Sequence, residues 1–164
     1  MTSKLYVDSN VFFYAKVQDK VFGESCSRVV SKIASKEIDA STSALVALEV
    51  ANALRKYGLS KDVADEVRAI FSLGIDVYPV ESSDVREAAE IYSEAKISPY
   101  DCAHAAIMKR NGLSTIVSAD KEFDRVTWLK RVDPKSIKGG RNEAIPPSEL
   151  LKGKPDRKAL HSKE

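Results

Sequence analysis

The sequence predicts an α/β fold: a three-layer α/β/α sandwich with a central, mostly parallel sheet of four or five strands. Three observations predict it. Short apolar runs such as Leu5-Tyr6-Val7 and Leu113 to Val117 end abruptly in polar or turn-forming residues. Between them lie longer stretches whose apolar residues recur at three, four and seven, the repeat of an amphipathic helix. The two patterns alternate along the chain, which is the order that builds a parallel sheet covered by helices on its faces. At 164 residues, 43% hydrophobic and 30% charged, the chain is long enough for one sizeable core.

Leu5-Tyr6-Val7 meets Asp8 and the turn-forming pair Ser9-Asn10, so the first strand delivers a carboxylate to the sheet edge. Ligands of open parallel sheets bind outside the carboxyl ends of the strands, where Asp8 stands. As a competing reading, Asp8 makes an Asx turn or caps the helix begun by Val11 to Tyr14. Cys26, Val29, Val30 and Ile33 then mark a helix over Glu24 to Ser35. Ile38 to Ala40 is a short strand candidate, and Ser41, Thr42 and Ser43 offer capping hydroxyls to a helix over Ala44 to Tyr57, stopped at Gly58. Between Ala44 and Leu54 this helix is apolar except at Glu49 and Asn52, which predicts burial nearly all round. A buried Glu49 needs a compensating group from elsewhere, and Arg55 is more than a turn away. A distant Lys or Arg partner is the structural reading; a place in a functional site is the other.

Ser60 opens a helix to Leu73, and Gly74 ends it. Ile75, Val77 and Val80 read as a strand, and Ser82 or Ser83 caps a helix through Ala95 with an apolar face of Val85, Ala88, Ala89, Ile91 and Tyr92. Ser98-Pro99-Tyr100-Asp101 starts the next helix with a capping Ser, a Pro at its first position and an acid three residues on. A capping box therefore competes with a site role for Asp101, and His104 reads as a packed helix residue. That helix stops at Asn111-Gly112. After the strand ending at Val117, Ser118-Ala119-Asp120 puts a second acid just past a strand end, although Asp120 also suits the cap of the turn Lys121 to Asp124. Trp128, Leu129 and Val132 form a last edge strand, ended by Asp133-Pro134.

The organisation expected is a body over residues 1–133 and a basic, flexible extension over 134–164. Residues 1–129 carry 16 Lys and Arg against 19 Asp and Glu, while residues 130–164 carry 10 against 5. A basic tail on a mildly acidic body attracts phosphate backbones or merely solubilises. Two cysteines, Cys26 and Cys102, fit neither a disulfide framework nor a metal knuckle and read as reduced core thiols. With no signal segment and no run of membrane-spanning length, the expected location is the cytoplasm, away from any membrane.

Asp8, Glu49, Asp101 and Asp120 can face one crevice, where four carboxylates repel one another unless a cation sits among them. Oxygen ligands without a Cys or His cluster point to Mg2+ or Mn2+. The absence of a Gly-rich phosphate loop excludes the familiar nucleotide hydrolases. A haloacid-dehalogenase-like phosphatase would want a second Asp two residues after the first, where Asn10 stands.

Val7-Asp8-Ser9-Asn10-Val11, the Glu49 helix in Leu-Val-Ala-Leu-Glu-Val-Ala-Asn, Ser-Pro-Tyr-Asp101-Cys-Ala-His-Ala-Ala and Ile-Val-Ser118-Ala-Asp120-Lys-Glu-Phe together resemble the PIN-domain nucleases, in particular the VapC-like toxins. The resemblance runs from about residue 4 to about residue 132. It implies a metal-dependent ribonuclease, with Asp8, Glu49, Asp101 and Asp120 holding Mg2+ or Mn2+ and Asn10 and Ser118 steadying them. Single-stranded RNA is the expected substrate, since no base-reading motif is visible and a flexible strand can enter an acidic crevice flanked by basic residues. It also admits an antitoxin-like protein partner, a homodimer, or a role in RNA processing. A non-enzymatic PIN-like scaffold that binds RNA or a partner is the alternative, disfavoured because all four positions keep carboxylates. Lys16, Lys20, Arg55 and Lys56 are candidate cations flanking the crevice.

Overall fold

A computed structural model describes residues 3–139. Five parallel strands form one sheet: β1 (Leu5–Val7), β2 (Ala40–Ser43), β3 (Asp76–Tyr78), β4 (Thr115–Val117) and β5 (Lys130–Val132), in the order β3-β2-β1-β4-β5. Six helices connect them: α1 (Ser9–Val17), α2 (Gly23–Ala34), α3 (Ala44–Lys56), α4 (Val63–Phe71), α5 (Ser82–Ala95) and α6 (Pro99–Arg110). The chain steps outward from β1 through β2 to β3, then returns past β1 to β4 and β5. Right-handed crossovers moving in opposite directions place α1 to α4 on one face and α5 and α6 on the other. The expected sandwich is therefore present, with five strands. Its direction of winding reverses between β1 and β4, and the crevice outside the carboxyl ends of those two strands is where such a sheet binds ligands.

The core is the apolar layer between sheet and helices, with Val7, Val11, Val29, Ile33, Val50, Leu54, Ile107, Met108, Ile116 and Phe123 wholly buried. β2 lies downstream of the expected Ile38 to Ala40 strand because its polar sequence, Ala-Ser-Thr-Ser, disguises a buried element. Its hydroxyls are satisfied inside the sheet: Ser41 donates to the Leu5 carbonyl (3.3 Å) and Thr42 to the Val7 carbonyl (2.9 Å). Ser43 ends the strand and caps α3, accepting from the Val46 amide. α3 itself is not buried all round. Leu48, Asn52 and Lys56, spaced four apart, form an exposed stripe, and Leu48 is 68% exposed.

Other helix starts differ in detail. Ser60 begins a 3-10 turn (Ser60–Asp62) ahead of α4, which stops at Phe71. α5 is capped by Glu81, in a reciprocal capping box with Asp84, rather than by a serine. Asp84 is almost wholly buried and paired with Arg110 at 2.8 Å, tying the start of α5 to the end of α6. β5 pairs in parallel with β4, and beyond it Pro134 is buried while Ile137 packs on the core. Of the basic extension expected over 134–164, the part from residue 140 lies outside the described residues.

Candidate active site

Asp8 follows β1 directly and is only 3% exposed. Its backbone adopts the extended conformation of a helix N-cap, and both of its carboxylate oxygens are engaged. Oδ1 accepts from the Ser9 amide (2.7 Å), and Oδ2 accepts from the Ser118 hydroxyl (2.6 Å) and the Asn10 amide (2.9 Å). Asn10 bridges the two strand ends, since Nδ2 also donates to Ser118 Oγ (3.0 Å) and Oδ1 accepts from the Ala119 amide (3.2 Å). Ser118 Oγ in turn accepts from the Asp120 amide (3.0 Å). Capping and site building thus coincide at Asp8. Burial raises its pKa and the Glu49 charge adds to this, while His104 and the Ser118 hydroxyl oppose it.

Glu49 finds its partner in an unexpected place. His104 on α6 is wholly buried, and its Nε2 lies 2.7 Å from Glu49 Oε2. On the other side of the ring, Nδ1 lies 2.8 Å from the Tyr6 hydroxyl, which donates to Ser43 Oγ at 2.7 Å. With the Tyr6 proton directed to Ser43, its oxygen accepts from Nδ1–H. With Nε2–H donated to Glu49, the ring is assigned by this network as an imidazolium. Burial resists that charge, but the Glu49 hydrogen bond and the charges of Glu49, Asp8 and Asp101 outweigh it and raise the pKa above 6.5. The sequence signal for this role was the three-residue spacing of Asp101 and His104, which sets both toward one helix face.

Asp101 stands at the third position of α6, yet it makes no capping box. Ser98 accepts from the Tyr100 amide, and the Asp101 carboxylate has no hydrogen-bond partner among the described residues. Burial first, then the charges of Asp8 and Asp120, push its pKa from 3.8 to about 7, with His104 pulling the other way. Asp120 follows β4, and its carboxylate accepts from the Glu122 amide (2.9 Å), capping the 3-10 turn Lys121–Arg125.

The crevice therefore contains two groups, each with ligand-type atoms within 4.8 Å of one another: Asp8, Glu49 and His104, and Asp101, Asp120 and Glu122. Glu122 carried no role in the sequence reading; its signal was a position two residues past Asp120 in a tight turn. Asp101 senses Asp8, Glu49, His104 and Asp120 together, so the two groups share one electrostatic site. Both ring nitrogens of His104 are occupied, which leaves carboxylates as the available donors. Such a set fits a hard divalent cation. Of the flanking cations, Lys16 is held near Glu66 (3.8 Å) and Arg55 bonds Asn52, while Lys20 and Lys56 are exposed.

Residues 5–129 match the PIN domain. No curated protein sequence matches the chain. Among solved structures, the chain is similar to VapC20 of Mycobacterium tuberculosis, a Sarcin-Ricin loop cleaving toxin, with 17% identity and a TM-score of 0.65 over 76% of this chain and 96% of that one. It is also similar to DNA-bound VapBC from Salmonella typhimurium (17% identity, TM-score 0.61, 81% and 99% covered). FitAcB from Neisseria gonorrhoeae gives 20% identity and a TM-score of 0.59, with 81% and 99% covered. At these identities the structural likeness establishes the fold, and the family follows from the match across most of the sequence: the chain belongs to the PIN domain family.

Proposed function

We propose that the protein is a metal-dependent endoribonuclease that hydrolyses phosphodiester bonds of single-stranded RNA, in the manner of a VapC-like toxin. The observation that carries this reading is Asp101, a partly buried carboxylate without a hydrogen-bond donor, set among other acids and pushed to a pKa of about 7. Such an arrangement is unfavourable in isolation and becomes favourable around a divalent cation. Asp101 and Asp120, with Glu122 beside them, would hold Mg2+ or Mn2+, and Asp8 and Glu49 complete the acidic wall. A bound cation supplies Lewis acidity, which makes water a better nucleophile and offsets charge at the phosphate. Asn10 and Ser118 keep Asp8 and Asp120 in register by joining the two strand ends. Glu49 presents one oxygen to His104 and leaves the other for the proton of the attacking water. Water adds to phosphorus, the bond to the leaving oxygen breaks, and solvent protonates that oxygen.

Cleavage of labelled single-stranded RNA by EDTA-treated protein, with and without added Mn2+ or Mg2+, tests the reading. Product should form only with metal, and full activity in excess EDTA would overturn it. The toxin form of the reading includes an antitoxin-like partner, supported by neighbours solved as toxin–antitoxin complexes, among them the VapBC complex above. A chain that arrests growth when expressed, with an Asp101→Asn variant that does not, is the expected outcome.

A further inference from the structure

We propose that Arg131 is a positioning residue for Asp120 and Glu122: its guanidinium fastens both ends of the Ser118–Asp124 segment to β5 and so sets where these two carboxylates stand. Arg131 lies on β5 opposite Ile116, with its side chain 11% exposed. Nη1 donates to the Ser118 carbonyl at 3.0 Å. Nε and Nη2 grip the Asp124 carboxylate side-on, at 2.9 and 3.2 Å. The Ser118 amide donates to the Val132 carbonyl (3.1 Å), so both main-chain polar groups of Ser118 are tied to β5. From Ser118 the order passes inward, through the Asp120 amide on the Ser118 hydroxyl and the Glu122 amide on the Asp120 carboxylate.

Burial of Phe123 and Val126 anchors the far part of the segment in the core, and the Ala119 amide, donating to Asn10 Oδ1, ties its start to α1. Arg131 adds the fastening that spans both ends, because a planar fork can meet a carboxylate with two bonds and a carbonyl with a third. Lysine keeps the charge without that geometry. Asp124, outside the acid cluster itself, thereby acquires a function as the far fastening point. The inference deepens the nuclease reading, and its metal measurement rests on that reading.

The test compares the full chain with Arg131→Lys, with Asp124→Asn, and with Arg68→Lys, which perturbs an exposed ion pair elsewhere. Two measurements are made: backbone 15N order parameters of Ala119 to Glu122 without metal, and the Mn2+ concentration giving half-maximal RNA cleavage and half-maximal thermal shift. In Arg131→Lys and Asp124→Asn the order parameters should fall from a rigid value of about 0.85 toward about 0.6. The half-maximal Mn2+ concentration should rise about 10- to 100-fold, with the rate at saturating Mn2+ near that of the parent. Arg68→Lys should move neither measurement. Unchanged order parameters and Mn2+ response in both clamp variants would overturn the proposal, even if both lost stability. A parent chain indifferent to Mn2+ would defeat the nuclease reading, and the order parameters would still decide the clamp. If Arg131→Lys does not fold, Asp124→Asn releases the clamp from the opposite end.

Discussion

The two halves of the acidic crevice are built on opposite principles. In the inner half, Asp8 and Glu49 have found donors, with His104, Tyr6, Ser43, Asn10 and Ser118 forming a hydrogen-bonded cradle. No buried side-chain nitrogen or oxygen among the described residues lacks a partner. The outer half gathers Asp101, Asp120 and Glu122, and burial, followed by the charges of Asp8 and Asp120, raises the pKa of Asp101 to about 7. The inner half balances its charge with a histidine from the same chain. In the outer half Arg131 lends charge to Asp120, but the Asp101 carboxylate has no hydrogen-bond donor among the described residues and is settled by a proton or by something bound.

The largest expected effect breaks the site from both sides and compares the results. Asp8→Asn and Asp101→Asn should each lower RNA cleavage at least about 100-fold, more than is usual for residues that only support a metal ligand. Their stabilities should diverge. Asn at position 8 brings an NH2 group against the donors Ser9, Asn10 and Ser118, at a cost of about 1–3 kcal/mol. Asn at position 101 removes a charge that repels its neighbours, so metal-free stability above neutral pH should hold or rise. Thermal unfolding in EDTA checks this, and equal destabilisation by both variants would show that the two halves do not differ in this way.

The same contrast explains what could be read from the sequence. The strand-end acids Asp8 and Asp120 were legible because a strand followed by an acid fixes position in the fold as well as chemistry. Asp101 was legible as a site residue only beside a capping reading of equal force, since local sequence cannot say whether a first-turn carboxylate folds back or points away. β2 was displaced because burial of Ser41 and Thr42 depends on carbonyls of β1 some 35 residues distant, and that of Ser43 on the Tyr6 hydroxyl, which no local pattern displays. Glu49's partner was missed for a related reason. His104 sits in an apolar helix, 55 residues from Glu49, and only the parallel order of the sheet brings α3 and α6 together.

Next in size is His104→Asn, which strikes the inner half without touching the proposed ligands of the outer one. It should leave the Glu49 carboxylate without its partner and remove one of the two Tyr6 hydroxyl contacts, the other being kept by Ser43, at a cost of about 1–3 kcal/mol. Cleavage should fall about 10- to 100-fold, because Glu49 loses its orientation. Tyr6→Phe, which removes only the far link of the same chain, should cost less in both measurements. A His104→Asn protein with parental stability would mean that the Glu49 contact contributes nothing in solution.

A smaller effect follows pH. Asp101 titrates near 3.8 in the unfolded chain and at about 7 in the folded, metal-free protein, so between these values the folded state holds the extra proton. Stability therefore falls as pH rises through that window. The raised pKa of His104 acts in the same direction at higher pH: its stabilisation is complete below 6.5 and is lost as pH passes the folded value. The melting temperature in EDTA should thus decline between about pH 4 and pH 8, and Asp101→Asn should lessen the decline below about pH 7. Saturating Mn2+ should oppose it as well, because the cation favours ionised carboxylates and binds the folded chain. Parent and Asp101→Asn melting curves of equal pH slope would remove Asp101 as the source.

The smallest expected effect sharpens the outer half. Glu122 is exposed, its amide is held by Asp120, and its carboxylate stands at the rim beside Asp101 and Asp120. Glu122→Gln keeps the side chain's length and the amide contact and removes only the charge. Stability should stay within about 0.5 kcal/mol of the parent, as for most surface substitutions. The half-maximal Mn2+ concentration should rise by less than about 10-fold, the lower end of what supporting groups contribute. Two departures would be informative. A loss of cleavage as deep as that of Asp101→Asn, not recovered by added Mn2+, would place Glu122 among the ligands proper and move the centre of the site outward. No change in Mn2+ response at any concentration would leave Asp101 and Asp120 as the only essential acids of the outer half, and Glu122 as an ordinary surface residue brought close by the turn that Asp120 caps.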